Sequence, residues 1–164
     1  MNKPRIAVIP GSFDPMTLGH LDIIRRASRL YDKIYVAVMI NSEKNYMFSI
    51  EERKRIAELS CSELENVEVI SDGGYLYKLC QRLGAIAIVK GLRNREDFEY
   101  EKSMADFNYE RNPDCETVFL SCFPGYDGVS STLVRSFIVS GDFEACEEYV
   151  SPKALEYMKK VSNG

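Results

Sequence analysis

Residues 6–20 read IAVIPGSFDPMTLGH and contain the signals of a strand, a loop and the start of a helix. Its apolar, largely β-branched start, residues 6–9, stops at Pro10-Gly11 in the way that a buried strand ends in a loop. The segment that follows repeats apolar residues at helical spacing, namely Leu21, Ile24, Ala27 and Tyr31. A strand, a glycine-bearing loop and a helix in this order predict the first βα unit of a parallel sheet.

The same pattern recurs along the chain. Five apolar runs predict strands, and they are Ile6 to Ile9, Ile34 to Ile40, Val67 to Ile70, Ile86 to Val89 and Val118 to Leu120. Their nearly continuous apolar character is typical of parallel strands that helices cover on both faces. A length of 164 residues suits one domain. We therefore predict a single domain over residues 1–164, with a Rossmann-like, doubly wound α/β fold, a five-stranded parallel sheet and helices on both faces.

Helix boundaries are marked by capping residues. Ser49 and Glu52 have the spacing of a capping box, which predicts a helix that begins there. Ser151-Pro152 places an N-cap before a proline at the first helical position. A helix over Ser130 to Ser140 is expected to end at Gly141, a residue suited to the left-handed position after a helix.

Composition narrows the classes of protein. Hydrophobic residues make up 45% of the chain, and 21 Lys and Arg against 25 Asp and Glu give a net charge of -4. This acidic balance disfavours a general nucleic-acid surface. No apolar run approaches the roughly 20 residues of a membrane-spanning helix, and Pro10-Gly11 cuts short the apolar stretch that a secretory signal would need. We expect a cytoplasmic protein that binds neither nucleic acid nor membranes.

The cysteines do not indicate a metal site. There are five of them, an odd number without a C-x-x-C pair, and only one histidine could join them around a metal ion. We expect reduced, mostly buried thiols at Cys61, Cys80, Cys115, Cys122 and Cys146.

The loop after the first strand has the features of an anion site. It carries glycine and ends at a helix N-terminus, where free backbone N–H groups and the helix dipole favour a phosphate. Ser12 and Thr17 add hydroxyl groups, and His20 adds an imidazole. A tight turn with a solvent-facing histidine is the alternative. Neither G-x-x-x-x-G-K-[ST] nor G-x-G-x-x-G is present, which disfavours a P-loop NTPase or an ordinary dinucleotide enzyme.

Two further loops carry groups that suit phosphate. Lys90, Arg93 and Arg95 are expected to follow the fourth strand and to face the first loop across the crevice of the sheet. The alternative is a solvated basic loop paired with its acidic neighbours, which are Glu96, Asp97 and Glu99. The hydroxyls and backbone N–H groups of residues 130–132 could grip a triphosphate, and simple N-capping is the alternative there.

Three motifs in this order resemble a known family. They are G-S-F-D-P-x-T-x-G-H from Gly11 to His20, K-G-L-R followed by D-F-E-Y-E between Lys90 and Glu101, and V-S-S-T-x-x-R from Val129 to Arg135. The first and third resemble the nucleotidyltransferase superfamily. The second resembles the bacterial phosphopantetheine adenylyltransferases in particular, and the likeness extends over essentially the whole chain.

The resemblance implies an activity and its partners. The expected reaction moves the adenylyl group of ATP to 4′-phosphopantetheine, releases pyrophosphate and makes dephospho-coenzyme A, with Mg²⁺ bridging the ATP phosphates rather than held by a protein metal site. Relatives of this kind assemble as homohexamers and are inhibited by coenzyme A, so both properties are expected by analogy.

The resemblance also implies residue roles. His20 is expected to stabilise the transition state, with Lys44 and Arg93 as further catalytic residues. The expected ATP-binding residues are Ser12, Phe13, His20, Gly91, Leu92, Arg93, Glu101, Tyr126, Asp127, Gly128, Val129, Ser130, Ser131 and Thr132. The expected residues for the acceptor substrate are Ser12, Lys44, Leu76 and Lys90.

Two positions depart from the pattern of the family. Ser12 stands where several relatives have threonine, and it keeps the hydroxyl. Lys90 stands where better-known members have arginine, so it keeps the charge and loses the two-pronged donor geometry.

Three other functions remain as alternatives. Another nucleotidyltransferase, acting on nicotinamide mononucleotide or making CDP-alcohols, would share the first loop and the serine turn but would not be expected to carry the second motif. A non-catalytic nucleotide sensor on this fold would bind ATP and release no pyrophosphate. An interaction module of the doubly wound class would bind neither substrate.

Overall fold

The computed structural model describes residues 2–164 and contains one five-stranded sheet. The strands are β1 (Ile6–Gly11), β2 (Lys33–Met39), β3 (Val67–Asp72), β4 (Ala87–Leu92) and β5 (Glu116–Ser121). All neighbouring strands are parallel, and their order is β3-β2-β1-β4-β5. The chain therefore reverses its direction of travel across the sheet between β1 and β4, where open α/β sheets bind ligands.

Six α-helices connect and cover the strands. They are α1 (Leu18–Ser28), α2 (Ile50–Ser60), α3 (Leu76–Leu83), α4 (Arg95–Arg111), α5 (Ser131–Val139) and α6 (Pro152–Ser162). Short 3₁₀ helices lie at Pro124–Tyr126 and Ala145–Glu148. Within residues 2–164, no helix is both long and apolar enough to cross a membrane.

The central strands β2, β1 and β4 are buried on both faces, and their alternate residues point to opposite sides of the sheet. Ala7 and Ile9 of β1 join a large core with residues of α1, α2, α5 and α6. Val8, between them, joins a smaller core with residues of α3 on the other face. The predicted doubly wound fold with a five-stranded parallel sheet is confirmed.

Helix capping matches the sequence signals. The Ser49 hydroxyl accepts the Glu52 N–H at 3.1 Å, and the Glu52 carboxylate accepts the Ser49 N–H at 2.9 Å. Ser151 caps α6, and Gly141 follows α5 with a positive φ of 77°. These predictions are confirmed.

Some predicted boundaries are wrong by one residue or more. Ile40 lies after β2 and Ile86 lies before β4, and both side chains are exposed. Tyr31 lies beyond α1, which ends at Ser28. These flanking residues still form some backbone hydrogen bonds of the same kind, since the Ile86 N–H donates to the Ile6 carbonyl at 2.8 Å and the Tyr31 N–H donates to the Ala27 carbonyl at 3.3 Å. The boundaries therefore differ only at frayed ends of the elements.

Candidate active site

Two cavities open at the carboxyl ends of β1 and β4. The first cavity has a volume of about 370 Å³ and the second about 310 Å³. Four residues line both of them, namely Pro10, Gly11, Lys90 and Glu101. The two cavities therefore meet at the end of β1, and a molecule in each would bring one end to the same place.

The structure divides the predicted site residues between the two cavities. The first is lined by Phe13, His20, Gly91, Arg93, Glu101, Tyr126, Val129, Ser130, Ser131 and Thr132. The second is lined by Ser12, Lys44, Leu76 and Lys90, which are the four residues expected for the acceptor. Leu92, Asp127 and Gly128 line neither cavity, and Ser12 does not line the first.

The first loop is shaped by an unusual backbone at Phe13. This residue has a φ of 48°, in the left-handed region that side chains disfavour, and its ring is buried. A Cβ on Gly11 would lie 2.8 Å from Cζ of Phe13, so only glycine allows the ring to pack there. The ring meets His20 edge-on, with centroids 5.1 Å apart. The loop therefore places a hydrophobic wall against the histidine.

His20 is held by the start of α1. The Thr17 N–H donates to Nδ1 of His20 at 3.0 Å, and the Thr17 hydroxyl lies 3.1 Å from the same nitrogen. The His20 N–H in turn faces the Thr17 hydroxyl at 3.4 Å, which completes a capping box. Because Nδ1 accepts a backbone N–H, a neutral ring carries its proton on Nε2. The Thr17 hydroxyl lines the first cavity and takes part in the cap, and its role as a phosphate donor stays a prediction.

The neutral form of His20 is strongly favoured. Burial and the positive charges of Arg93 and Lys90 lower the pKa of His20 from 6.5 to about 4. At neutral pH the ring is therefore uncharged, and its Nε2–H is a hydrogen-bond donor beside the first cavity. The geometry suits a group that donates a hydrogen bond, not one that removes a proton.

The two cations that line the first cavity, Lys90 and Arg93, are both paired with carboxylates. Lys90 Nζ lies 3.2 Å from Glu101, and Arg93 Nε lies 3.2 Å from Asp97. Lys90 belongs to β4 itself and not to the loop after it, so that part of the prediction is wrong. Arg95 begins α4, is exposed and lines neither cavity. The pair of Arg93 with Asp97 agrees with the second alternative drawn from the sequence, and phosphate binding by Lys90 and Arg93 stays a prediction.

In the turn before α5, backbone N–H groups are more available to bind an anion than the side-chain hydroxyls are. The Ser130 hydroxyl accepts the Leu133 N–H at 3.1 Å and is the N-cap, as the alternative prediction held. The Ser131 hydroxyl donates to the Pro15 carbonyl at 2.7 Å, and Arg135 donates to the Thr132 hydroxyl at 3.1 Å. Within residues 2–164, the N–H groups of Ser131 and Thr132 have no partner. These two N–H groups, at the positive end of a helix, are the donors left for an anion.

The second cavity has a different lining. The Lys44 side chain is exposed and forms no ion pair with any of residues 2–164. Aromatic and apolar side chains of α3 and α4 also line this cavity, namely Leu76, Tyr100, Met104 and Phe107. A lining with an exposed cation and a largely apolar surface suits a molecule that combines a phosphate with a long uncharged arm.

A third concavity has the opposite charge. It has a volume of about 460 Å³ and is lined by four carboxylates, those of Asp142, Glu144, Glu147 and Glu148. Like charges disfavour a phosphate there. Volume alone would select this concavity, but the charge of the lining selects the two that meet at β1.

The donor set does not form a metal centre of the protein. Within residues 2–164, no group of three or more His, Cys, Asp or Glu side chains could hold a metal ion. The two carboxylates beside the first cavity, those of Asp97 and Glu101, are already paired with cations. A divalent ion at this site would depend on ligands that the substrate brings.

Sequence reasoning missed three residues that organise the loops. The buried carboxylate of Asp14 accepts the N–H groups of Met47 at 2.9 Å and Phe48 at 3.0 Å, which ties the loop after β2 to the first loop. Arg135 donates to the Asp14 carbonyl at 2.9 Å from α5. Arg53 of α2 donates to the carbonyl of Ser12 at 2.8 Å.

Comparisons with known proteins agree on a family. The cytidylyltransferase-like family model matches residues 8–137. A phosphopantetheine adenylyltransferase of Limosilactobacillus reuteri is 43% identical over 157 residues, which are 95% of this chain and 89% of that protein. One from Caldanaerobacter subterraneus subsp. tengcongensis is 42% identical over 158 residues, which are 95% of this chain and 99% of that protein.

Solved structures share the fold at much lower identity. A chain from Vibrio parahaemolyticus, assigned as a nicotinate-nucleotide adenylyltransferase, gives a TM-score of 0.74 at 17% identity and covers 98% of this chain and 94% of its own. A nicotinic acid mononucleotide adenylyltransferase of Plasmodium falciparum, in complex with APC, gives 0.67 at 13% identity, with coverage of 97% and 96%. At these identities the likeness concerns the fold alone.

Proposed function

Because the chain belongs to the cytidylyltransferase-like family and, within it, to the phosphopantetheine adenylyltransferases, we propose that it transfers the adenylyl group of ATP to 4′-phosphopantetheine. The products are dephospho-coenzyme A and pyrophosphate, in the penultimate step of coenzyme A synthesis. The relatives at 42% and 43% identity support this acceptor, whereas the nicotinate-specific structures are only 13% and 17% identical.

The junction of the two cavities is the observation that carries the proposal. A reaction between two phosphorylated molecules needs both of them at one point, held in line. The first cavity takes ATP, with the free N–H groups at the start of α5 for the triphosphate. The second takes the acceptor, and its phosphate lies near the shared residues Gly11 and Lys90. The α-phosphorus is attacked where the cavities meet.

The reaction requires no general base from the protein. The second pKa of a phosphate monoester is near 6, so the attacking group is mostly a dianion at neutral pH. His20 then donates its Nε2–H to an oxygen of the α-phosphate and stabilises the charge that develops there. A pKa of about 4 keeps His20 neutral throughout, which agrees with a donor that does not transfer its proton.

The acceptor is held by groups at the end of β1 and β2. The Ser12 hydroxyl, Lys44 and Lys90 bind its phosphate, and Leu76 contacts the pantetheine arm. Lysine at position 90 binds as a point charge without the fork of arginine. The neighbouring Glu101 limits where its ammonium group can lie.

ATP is held by groups around the first cavity. Arg93 and the start of α5 bind the β- and γ-phosphates. ATP would bring Mg²⁺ as part of the substrate, and the ion would neutralise charge on the phosphates beside Arg93. The segment from Tyr126 to Val129 and the backbone at Phe13 and Gly91 complete the nucleotide site.

The proposal also covers the assembly, regulation and location of the protein. Four large side chains of α4, those of Phe98, Tyr100, Met104 and Tyr109, are exposed, which supports an interface between copies of the chain. The proposed number of six copies, a homohexamer, rests on the resemblance alone. Sedimentation at micromolar concentration would contradict the hexamer if it gave a monomer.

Coenzyme A contains both the acceptor arm and an adenine nucleotide, so it is the proposed feedback inhibitor. Five free thiols support the cytoplasm as the location.

One experiment tests the activity against its alternatives. The protein is incubated with ATP, Mg²⁺ and a panel of phosphorylated acceptors that includes 4′-phosphopantetheine and nicotinamide mononucleotide, and the products are weighed by mass spectrometry. Dephospho-coenzyme A as the main product supports the proposal. A different adenylylated or cytidylylated product would identify another nucleotidyltransferase. ATP binding without pyrophosphate would identify a sensor, and neither binding nor product would leave an interaction module.

A further inference from the structure

Arg53 is a charged side chain in the interior of the protein. It belongs to α2, is 1% exposed, and shares a buried stripe with Ile56 and Ala57. Within residues 2–164 it forms no ion pair, and its Nε has no hydrogen-bond partner. A buried guanidinium without a carboxylate disfavours folding, and an apolar residue would suit this stripe better. The contacts that Arg53 does make therefore indicate its role.

Those contacts join the two loops that line the second cavity. Nη1 of Arg53 donates to the Ser12 carbonyl at 2.8 Å and to the Met39 carbonyl, at the end of β2, at 3.1 Å. The guanidinium carbon also lies 3.7 Å from the centroid of the Tyr46 ring. One rigid, planar group thus contacts the first loop, the end of β2 and the loop that follows it.

The loop after β2 is itself organised around Tyr46. The Asn41 N–H donates to the Tyr46 hydroxyl at 2.9 Å, and the Lys44 N–H donates to the Asn41 carbonyl at 3.0 Å. Lys44 lies between these two bonded residues in the sequence. A shift of the Tyr46 ring on Arg53 would therefore move the backbone of Lys44 as well.

We propose that Arg53 is a positioning residue for the acceptor phosphate, which sets the separation between Ser12 and Lys44. Arg53 lines neither cavity, so it acts through the residues that do. The inference rests on the proposed function, in which those two residues bind the phosphate. The groups of the first cavity are held by separate contacts, such as the Thr17 cap on His20 and the bond from Ser131 to Pro15. Loss of Arg53 should therefore weaken the acceptor site and spare the ATP site.

The test compares Arg53→Met with Arg53→Lys in steady-state assays that vary each substrate in turn. We expect the KM for 4′-phosphopantetheine to rise by about tenfold or more in both variants, with the KM for ATP within about twofold. Lysine retains the charge but has neither the fork nor the planar stack, so it should not restore the unsubstituted value. Arg55→Met is the matched control, because Arg55 lies on the same helix, is exposed and pairs only with Glu58 at 3.5 Å.

Folding is checked so that the result stays decisive. Thermal unfolding by circular dichroism is measured for every variant, and Arg53→Lys, which keeps a cation of similar length, serves if Arg53→Met does not fold. Equal increases in both KM values, a loss of kcat with unchanged KM values, or full rescue by lysine would overturn the role of Arg53. A lack of dephospho-coenzyme A from the unsubstituted protein would instead overturn the proposed function, and this inference with it.

Discussion

The two cavities meet at Gly11 and Lys90, yet they are built by different means. In the first, the polar groups are fixed before any ligand arrives, since Thr17 orients His20 and the Ser131 hydroxyl is bonded to Pro15. In the second, Lys44 is exposed and forms no ion pair within residues 2–164, while Lys90 is paired with Glu101, and the wall includes Tyr100, which is 67% exposed. Under the proposed function, the side-chain groups that face ATP are fixed in advance, whereas the Lys44 side chain is ordered only when the acceptor binds.

The largest expected effect tests the preorganised side. His20→Ala should lower kcat by about 10²- to 10³-fold, because a donor aimed at the developing charge is lost. The KM for ATP should change by less than about threefold, because the phosphates keep their other contacts. Steady-state kinetics measure both values. A kcat within threefold of the unsubstituted protein would remove His20 from the reaction and with it the contrast between the cavities.

The junction should respond on both sides at once. Lys90→Ala is expected to lower kcat/KM for each substrate by about tenfold or more, because it removes a shared cation and leaves the Glu101 carboxylate facing the phosphates. The double variant Lys90→Ala with Glu101→Gln should recover part of the loss. An effect on only one substrate would show that the cavities do not share this residue in function.

Substitution of Lys44, which lines only the second of the two cavities, should have a smaller and more selective effect. Lys44→Ala is expected to raise the KM for the acceptor by about tenfold, since one charge-assisted contact to phosphate is lost, with the KM for ATP unchanged. Lys54→Ala is the control, because Lys54 is a surface lysine of α2 that pairs only with Glu58 at 3.6 Å. An unchanged acceptor KM in Lys44→Ala would exclude this lysine from the site.

The smallest expected effect concerns pH. The pKa of His20 is about 4 in the folded protein against 6.5 as its ordinary value, so between these values the unfolded chain holds a proton that the folded chain does not. The contribution of His20 to stability is complete above pH 6.5 and is lost as the pH falls towards 4. Urea unfolding at several pH values should show a flatter acid limb for His20→Gln. Parallel curves would mean that the ring is not desolvated as described.

The sheet could be predicted from the sequence, because its strands are short apolar runs with clear loop signals between them. The runs at residues 6–9 and 67–70, for example, lie within β1 and β3 as predicted. The sequence did not predict that β4 continues past Val89 to Leu92, because this extension depends on pairing with β5, whose residues are distant in the sequence. The resemblance supplied the residue roles, and those roles remain predictions.

The contacts that organise the site were the hardest feature to predict from the sequence. Asp14 and Arg53 bond to backbone groups 14 to 41 positions away, and no local sequence pattern predicts contacts at such separations. One signal was available for Arg53, because a charged residue took the first place in the apolar stripe with Ile56 and Ala57. The Thr17-x-x-His20 spacing also had the form of a capping pair, although histidine is not the usual partner.

The first turn of α1 and the placement of the proton on His20 depend on the same backbone N–H. Heat that frays this turn would release Nδ1, and the ring could then hold its proton on either nitrogen. We therefore expect activity to decline at a temperature below that at which the sheet melts. Substitutions that stabilise the core would raise the unfolding temperature of the protein but not the temperature up to which it is active. A substitution that stabilises the first turn of α1 would raise the temperature limit of activity.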